Sequence, residues 1–231
     1  RGIRPLPNVQ PVLAGQSVEE TLVSYGVKVP ATSFAKLPYL AGAVAAEIGF
    51  PVALKIVSPQ AVHKTEVGGV ALNIASEDAA VTAACEMEAR LLAADPNAEI
   101  EGYMVQQMID GLEVIAGVRD DPQFGPVLAL GFGGVLVEAI GDVSFRLLPV
   151  AAADVADMLD ELRAKALLGE FRGASARDVA ALIDCVVALS NAYLDLRGEF
   201  LDIEINPLMV GLAGEGVCAV DIRAIGRETD D

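Results

Sequence analysis

The sequence predicts an α+β protein made of two lobes with a cleft between them. Three observations lead there. The chain has 231 residues, enough for one large domain or two small ones that share a core. Its helix-like and strand-like segments fall into two mixed groups. The second group is a run of short β-rich stretches broken by Gly and Asp-Pro turns, which suits an antiparallel sheet.

Residues 1–16 read as a linker, with Pro5, Pro7 and Pro11 and no apolar signal core. The chain begins with Arg1, so it is expected to be a natural subunit or a domain cut from a longer polypeptide. Ser17 and Glu20 form a capping box for a short helix that stops at Tyr25-Gly26. Pro38 opens a second helical stretch through Ile48, closed by Gly49. Pro51 to Val57 is a buried strand, Val70 to Ile74 another, and Ser76 caps a long alanine-rich helix ending near Ala94. Strands are then expected over Tyr103–Met108, Leu112–Arg119, Val127–Leu130, Val135–Ile140 and Val143–Leu147. Helices follow from Asp154 to Leu162 and from Ser175, the latter with an apolar stripe of Val179, Leu182, Ile183, Val186, Leu189, Tyr193 and Leu194. Strands Phe200–Ile205 and Val217–Ile222 end the fold. The lobes are placed at 17–100 and 101–226, with an acidic tail at 227–231.

Composition narrows the function. Hydrophobic residues make up 53% and charged residues 21%, which excludes a disordered chain. Acidic residues outnumber basic ones 33 to 16, a formal charge of −17 that would repel a phosphate backbone, so no nucleic-acid partner is expected. No run reaches the roughly 18 uninterrupted apolar residues of a membrane span, and no membrane partner is expected. Cys85, Cys185 and Cys218 are odd in number and far apart, which points away from a disulfide framework and to a reducing, cytoplasmic setting.

Four features can carry chemistry. Lys55 interrupts an apolar strand, so its ammonium either snorkels to solvent or meets an anion. The loop His63-Lys64-Thr65-Glu66-Val67-Gly68-Gly69 joins the only histidine to a lysine and a glycine pair. It is either an ordinary turn or a phosphate cradle. Period-two alternation sets Asp202, Glu204 and Asn206 on one strand face, and Asp221 reaches them if the last two strands pair as a hairpin. Such a row is either a solvated face or an oxygen-only site for Mg²⁺ bridging nucleotide phosphates. Gly131-Phe132-Gly133-Gly134 either admits a ligand to the backbone or forms a tight bend. Together these features would grip a nucleoside triphosphate from both lobes. No P-loop and no kinase signature is present.

The blocks Phe50 to Pro59, His63 to Val70, Gly125 to Val135, Phe145-Arg146 before Pro149, and Glu204-Ile205-Asn206-Pro207-Leu208 resemble the ATP-grasp module of ADP-forming (NDP-forming) acyl-CoA synthetases. The resemblance runs from about Ser17 to Arg223. It implies an ATP-grasp fold and a share in the reaction acyl-CoA + ADP + phosphate ⇌ acid + CoA + ATP. The implied cofactors are ATP or ADP and Mg²⁺, and the CoA and acyl sites lie on a partner subunit or fused domains in a hetero- or homo-oligomer. It places Lys55 on the phosphates, with Lys64, Gly68 and Gly69 lining them, and backbone groups of Gln106, Gln107 and Met108 on adenine. Glu113 falls near the ribose. Asn206 and Asp221 match Mg²⁺ ligands with Glu204 beside them, and Arg146 and Glu138 fall in the cleft. His63 sits where the family carries a phosphoryl group, a role that suits a neutral imidazole. The family commonly has Ser-Asp where this chain has Thr65-Glu66. The rival implied by related modules is a regulatory ATP-grasp-like part of a protein acetyltransferase without turnover.

Overall fold

The computed structural model of the chain describes residues 16–59, 68–134, 141–170, 173 and 175–227. It divides into two compact units. One is Pro30–Ile109, and the other combines the chain before Pro30 with the chain after Ile109.

The smaller unit holds β1 (Thr32–Ala35), a 3-10 turn (Pro38–Leu40), α2 (Ala41–Ile48), β2 (Val52–Val57), β3 (Val70–Ile74), α3 (Glu77–Ala94) and β4 (Gly102–Gln107). Its sheet runs β1-β4-β2-β3, antiparallel throughout. Val52, Leu54 and Ile56 of β2 and Tyr103 and Val105 of β4 face Ala41, Ala45, Ala80, Ala84, Met87 and Leu91 of the two helices. The alanines let helix and sheet backbones approach closely, so a small core is still well filled. Ser76 caps α3 as expected, its Oγ accepting from Ala79 N–H at 3.2 Å. Buried Tyr103 satisfies its hydroxyl by donating to Glu88 at 2.8 Å.

The larger unit contains α1 (Gln16–Ser24), β5 (Leu112–Asp121), β6 (Gly125–Phe132), β7 (Val143–Leu147), α4 (Ala152–Glu161), α5 (Val179–Leu196), β8 (Phe200–Val210), β9 (Val217–Ala219) and β10 (Ile222–Gly226). Its sheet runs β10-β8-β5-β6-β7 with β9 beside β8, and every pairing is antiparallel. Alternate residues Val114, Ala116, Val118, Leu128, Leu130, Ile203 and Ile205 turn inward onto Leu182, Val186, Leu189 and Tyr193 of α5 and Val155, Met158 and Leu159 of α4. Among the described residues α5 is the one helix long and apolar enough to cross a membrane by length and composition. Its stripe is spent on this core instead.

Four local readings are corrected. The lobe boundary expected after residue 100 lies nine residues later, because β4 pairs with both β1 and β2 and so belongs to the first sheet. α1 belongs to the larger unit, not to the N-terminal lobe at 17–100. Asp178, not Ser175, caps α5, its carboxylate accepting from Ala181 N–H at 3.1 Å. The strand expected over Val217–Ile222 is broken into β9 and β10. β1 was not anticipated, since its four residues are mostly exposed and carry no alternation signal. The strand expected over Val135–Ile140 lies outside the described residues.

Candidate functional site

The break between β9 and β10 faces an irregularity in β8. Between Leu208 and Ile205 the register against β5 slips by one residue, at Asn206-Pro207. Two backbone bonds lock the irregular segments together: Asn206 N–H to Asp221 O at 2.9 Å and Val220 N–H to Pro207 O at 3.0 Å. A bulge of this kind re-aims side chains. Here it leaves Asn206 exposed, with its Nδ2 donating to Glu204 Oε1 at 3.3 Å. Glu204, Asn206, Asp221 and Arg223 line an open depression of about 290 Å³.

The row Asp202, Glu204, Asn206 thus has the predicted common direction, and two of its carboxylates have basic partners on the neighbouring strands. Arg119 on β5 lies opposite Asp202 and bonds its Oδ2 at 3.1 Å. Arg223 on β10 lies opposite Glu204 and reaches its Oε2 at 3.4 Å. Asp202 is only 7% exposed, and burial pushes its carboxyl above the usual range although Arg119 and Arg223 pull it down. It is a structural anchor. Sequence reasoning passed over Arg223, although Asp221-Ile-Arg puts the two charges at strand spacing.

Whether the residues fit a divalent cation follows from the donor set. Glu204 and Asp221 supply carboxylate oxygens, and Asn206 retains its Oδ1 after donating through Nδ2. These are hard oxygen ligands in a depression roomy enough for the waters that Mg²⁺ keeps, so the site suits that ion.

Arg146 does not belong with these residues. It pairs with Leu128, so it stands on the core side of β7, and α4 supplies its partner. Glu161 accepts from Arg146 Nη1 at 3.1 Å and also from Nη2, and Ser144 Oγ donates to the same carboxylate. The Arg146 and Ser144 hydrogen bonds hold the Glu161 carboxyl down at about 2. The expectation that Arg146 lines a cleft is therefore corrected: its guanidinium ties β7 to α4. Glu138 lies outside the described residues.

Gly131-Phe132-Gly133-Gly134 is a close-packing device. A Cβ on Gly131 would lie 2.6 Å from Asp142 O, and one on Gly133 would lie 2.9 Å from Glu113 Cβ. Gly133 N–H donates to Glu113 O at 2.7 Å, and Glu113 Oε2 sits 2.8 Å from where a Cβ on Gly134 would be. The glycines fit around exposed Glu113, which stands on the same side of β5 as Gly117, the residue opposite Glu204.

In the smaller unit Lys55 is half-buried on β2, while its neighbours Leu54 and Ile56 turn into the core. Lys55 shares the other sheet face with Met104 and Gln106, the latter buried with its amide donating to Thr32 Oγ1 at 3.3 Å. Gln107 N–H is taken by Ala31 O at 2.8 Å and Met108 N–H by Pro51 O at 3.2 Å. The N–H groups of Gln107 and Met108 are thus engaged within this unit, and their carbonyls are the backbone groups left to consider. Gly68, at φ +65°, is wrapped by Arg90, which donates to its carbonyl at 3.3 Å. Gly69 O accepts from Ile56 N–H at 2.8 Å. His63 and Lys64 lie outside the described residues.

Comparison with known proteins shows what this arrangement belongs to. Residues 6–225 match the family of ATP-grasp domains. The β subunit of acetate–CoA ligase [ADP-forming] II of Pyrococcus furiosus is 37% identical over 208 residues, covering 90% of this chain and 88% of that one. Acetate–CoA ligase [ADP-forming] I of Archaeoglobus fulgidus is 40% identical over 208 residues, covering 88% of this chain and 29% of that protein. The chain thus spans nearly all of the β subunit and under a third of the longer relative. Acetyl-coenzyme A synthetase 1 of Ca. Korarchaeum cryptofilum, solved with coenzyme A and Ca-AMPCP, superposes with a TM-score of 0.84 at 39% identity, covering 92% of each chain. The same enzyme with coenzyme A and Mg-AMPPCP, its phosphohistidine segment pointing towards the nucleotide site, gives 0.77 at 36%, over 92% of this chain and 91% of that one. Two antiparallel sheets backed by helices, and an oxygen-lined depression at a bulge in the second, are thus the frame of a chain that belongs to the ATP-grasp domains of the ADP-forming acyl-CoA ligases.

Proposed function

We propose that the chain is the nucleotide-binding, phosphoryl-transfer module of an ADP-forming acyl-CoA synthetase, an acid–thiol ligase. It takes part in acyl-CoA + ADP + phosphate ⇌ acid + CoA + ATP, with the CoA and acyl sites on a partner subunit or fused domains. The observation that carries this reading is the depression of Glu204, Asn206, Asp221 and Arg223. It joins a divalent-cation donor set to a guanidinium, the combination a metal–polyphosphate needs.

Each residue then has a task. Glu204, Asp221 and Asn206 Oδ1 hold Mg²⁺, which supplies charge neutralisation for the transferring phosphoryl group. Lys55 meets the phosphates from a half-buried position that costs its ammonium part of its water, so an anion is a favourable partner. Lys64, Gly68 and Gly69 complete the phosphate contacts, and Glu113 takes the ribose hydroxyls. Adenine is met by carbonyls of Gln107 and Met108 and by the following segment, since their N–H groups are already engaged. His63 carries the phosphoryl group on a ring nitrogen between acyl and nucleotide chemistry, which divides one long transfer into two in-line steps.

Titration calorimetry with ADP and ATP, with and without Mg²⁺, tests the binding half. Mg²⁺-dependent binding is the expected result, and a folded chain that binds neither nucleotide overturns it. Incubation of the assembled enzyme with γ-labelled ATP tests the relay: acid-labile, base-stable label is expected, lost in His63→Ala. A regulatory module without turnover would take up none.

A further inference from the structure

We propose that Arg223 is a transferable counter-charge: it holds Glu204 in the metal-free protein and passes to a phosphate oxygen when Glu204 turns to a divalent cation. The proposal rests on the nucleotide–Mg²⁺ reading above and adds a phosphate-binding residue to it.

The two arginines on this sheet face are held differently. Arg119 bonds Asp202, whose carboxyl is buried and accepts at 3.1 Å, so releasing it would strand a buried charge. Arg223 reaches Glu204 at 3.4 Å, with side-chain exposures of 55% and 31%. That distance is long for a charge-assisted hydrogen bond, and both groups can be rehydrated at once. Exposed pairs of this kind contribute little, so ligand binding can exchange the partner at little cost.

Charge supplies the direction of the exchange. The carboxylates of Glu204 and Asp221 with the guanidinium of Arg223 leave the depression one negative charge. A divalent cation on the two carboxylates reverses that sign, and Arg223 then becomes the surplus positive charge beside the cation. Like charges at such short range repel unless an anion enters between them. A nucleotide polyphosphate is that anion, and the planar guanidinium fork suits its oxygens. The register keeps Arg223 in place for this, because it lies directly opposite Glu204 while Asp221 O is bonded by Asn206 N–H. Glu204 and Arg223 exchange partners by turning their side chains, and neither has to leave its strand.

The exchange separates two affinities that a fixed salt bridge would move together. The test uses the full chain, with Mn²⁺ alone as the metal probe, read by the paramagnetic resonance of the free ion, and with ATP at saturating Mg²⁺, read by calorimetry. Arg223→Ala and Arg223→Lys are compared with the parent after circular dichroism confirms folding. In Arg223→Ala, Mn²⁺ alone binds as tightly or up to about tenfold more tightly, because a competing cation is gone. ATP with Mg²⁺ binds about 10- to 100-fold more weakly, the size expected for a lost hydrogen bond between charged groups. Arg223→Lys falls between, keeping the charge without the fork. The proposal is overturned if Arg223→Ala weakens ATP less than about threefold, or weakens Mn²⁺ and ATP together, which would mean that Arg223 only positions Glu204. If the parent itself binds no nucleotide with Mg²⁺, the functional reading fails first and the counter-charge proposal falls with it.

Discussion

Gly131→Ala should destabilise the larger unit through one methyl group. A Cβ at this position lies 2.6 Å from the carbonyl oxygen of Asp142 and 3.0 Å from Val143 Cγ2. A comfortable carbon–oxygen contact is about 3.3 Å or more, so β6 and the start of β7 must separate by roughly 0.7 Å. Asp142 cannot yield freely. Its carboxylate accepts from Arg163 N–H and Ala164 N–H, both at 2.9 Å, so a shift there drags the segment after α4. Overpacking of this kind costs about 1–3 kcal/mol. For a chain of this size about 2 kcal/mol lowers the melting temperature by roughly 4–8 °C. Gly117→Ala is the internal control. On the adjacent strand β5, its Cβ would meet Ile203 O at 3.4 Å and Glu204 Cβ at 3.5 Å, ordinary contacts. It should stay within about 0.5 kcal/mol of the parent. Thermal unfolding by circular dichroism reads both. The reasoning is refuted if Gly131→Ala melts within about 1 °C of the parent, or if Gly117→Ala loses as much.

Asp221→Asn and Asn206→Ala should each lower Mg²⁺-dependent ATP affinity by about tenfold or more while the fold persists, as read by calorimetry beside a thermal melt. Asp178 accepts from Ala181, Gly214 and Gly216 N–H groups, at 3.1, 3.1 and 2.9 Å, and these bonds, that to Ala181 first, hold its carboxyl below the usual range. Asp178→Ala should therefore raise amide exchange at Gly214 and Gly216 by about tenfold or more, with β5 and β6 unchanged. Glu161 ionises near 2 in the folded protein against 4.5 when free, so its contribution to stability is complete above about pH 4.5 and is lost as pH falls towards 2. Glu161→Gln should flatten the acid limb of the stability profile in that window; an unchanged limb would show that Arg146 contributes nothing there.

Elements with strong local signals were legible in the sequence. The capped, alanine-rich α3 and the apolar β2 lie where periodicity and caps put them, and the stripe of α5 places that helix although its cap falls at Asp178 rather than Ser175. The alternation that brings Glu204 and Asn206 to one side of β8 was legible too. What escaped was decided by tertiary pairing. Nothing in Gly102–Gln107 says that it belongs with β2 rather than with β5, its neighbour in sequence; only the ladders to β1 and β2 decide it. Arg146 alternates with Phe145 and Leu147, but which side of an edge strand is covered depends on where α4 lands. The break after Ala219 depends on the bulge at Asn206-Pro207 in the strand opposite, ten or more residues away. Arg223 was visible as a residue and missed as a partner because charge was counted along one strand rather than across two.

The smaller unit is nested: the chain leaves the larger one after Val29 and returns at Asp110. Tyr25, in the turn that follows the first helix, donates to Asp195, 170 residues on. As the polypeptide emerges during synthesis, the β1–β4 sheet can therefore finish assembling while α1 still waits for α5. Contacts that distant in sequence make for slow closure. An interrupted translation product ending near residue 110 would hold the lysine-bearing sheet and neither of the carboxylates, Glu204 and Asp221, proposed to hold Mg²⁺.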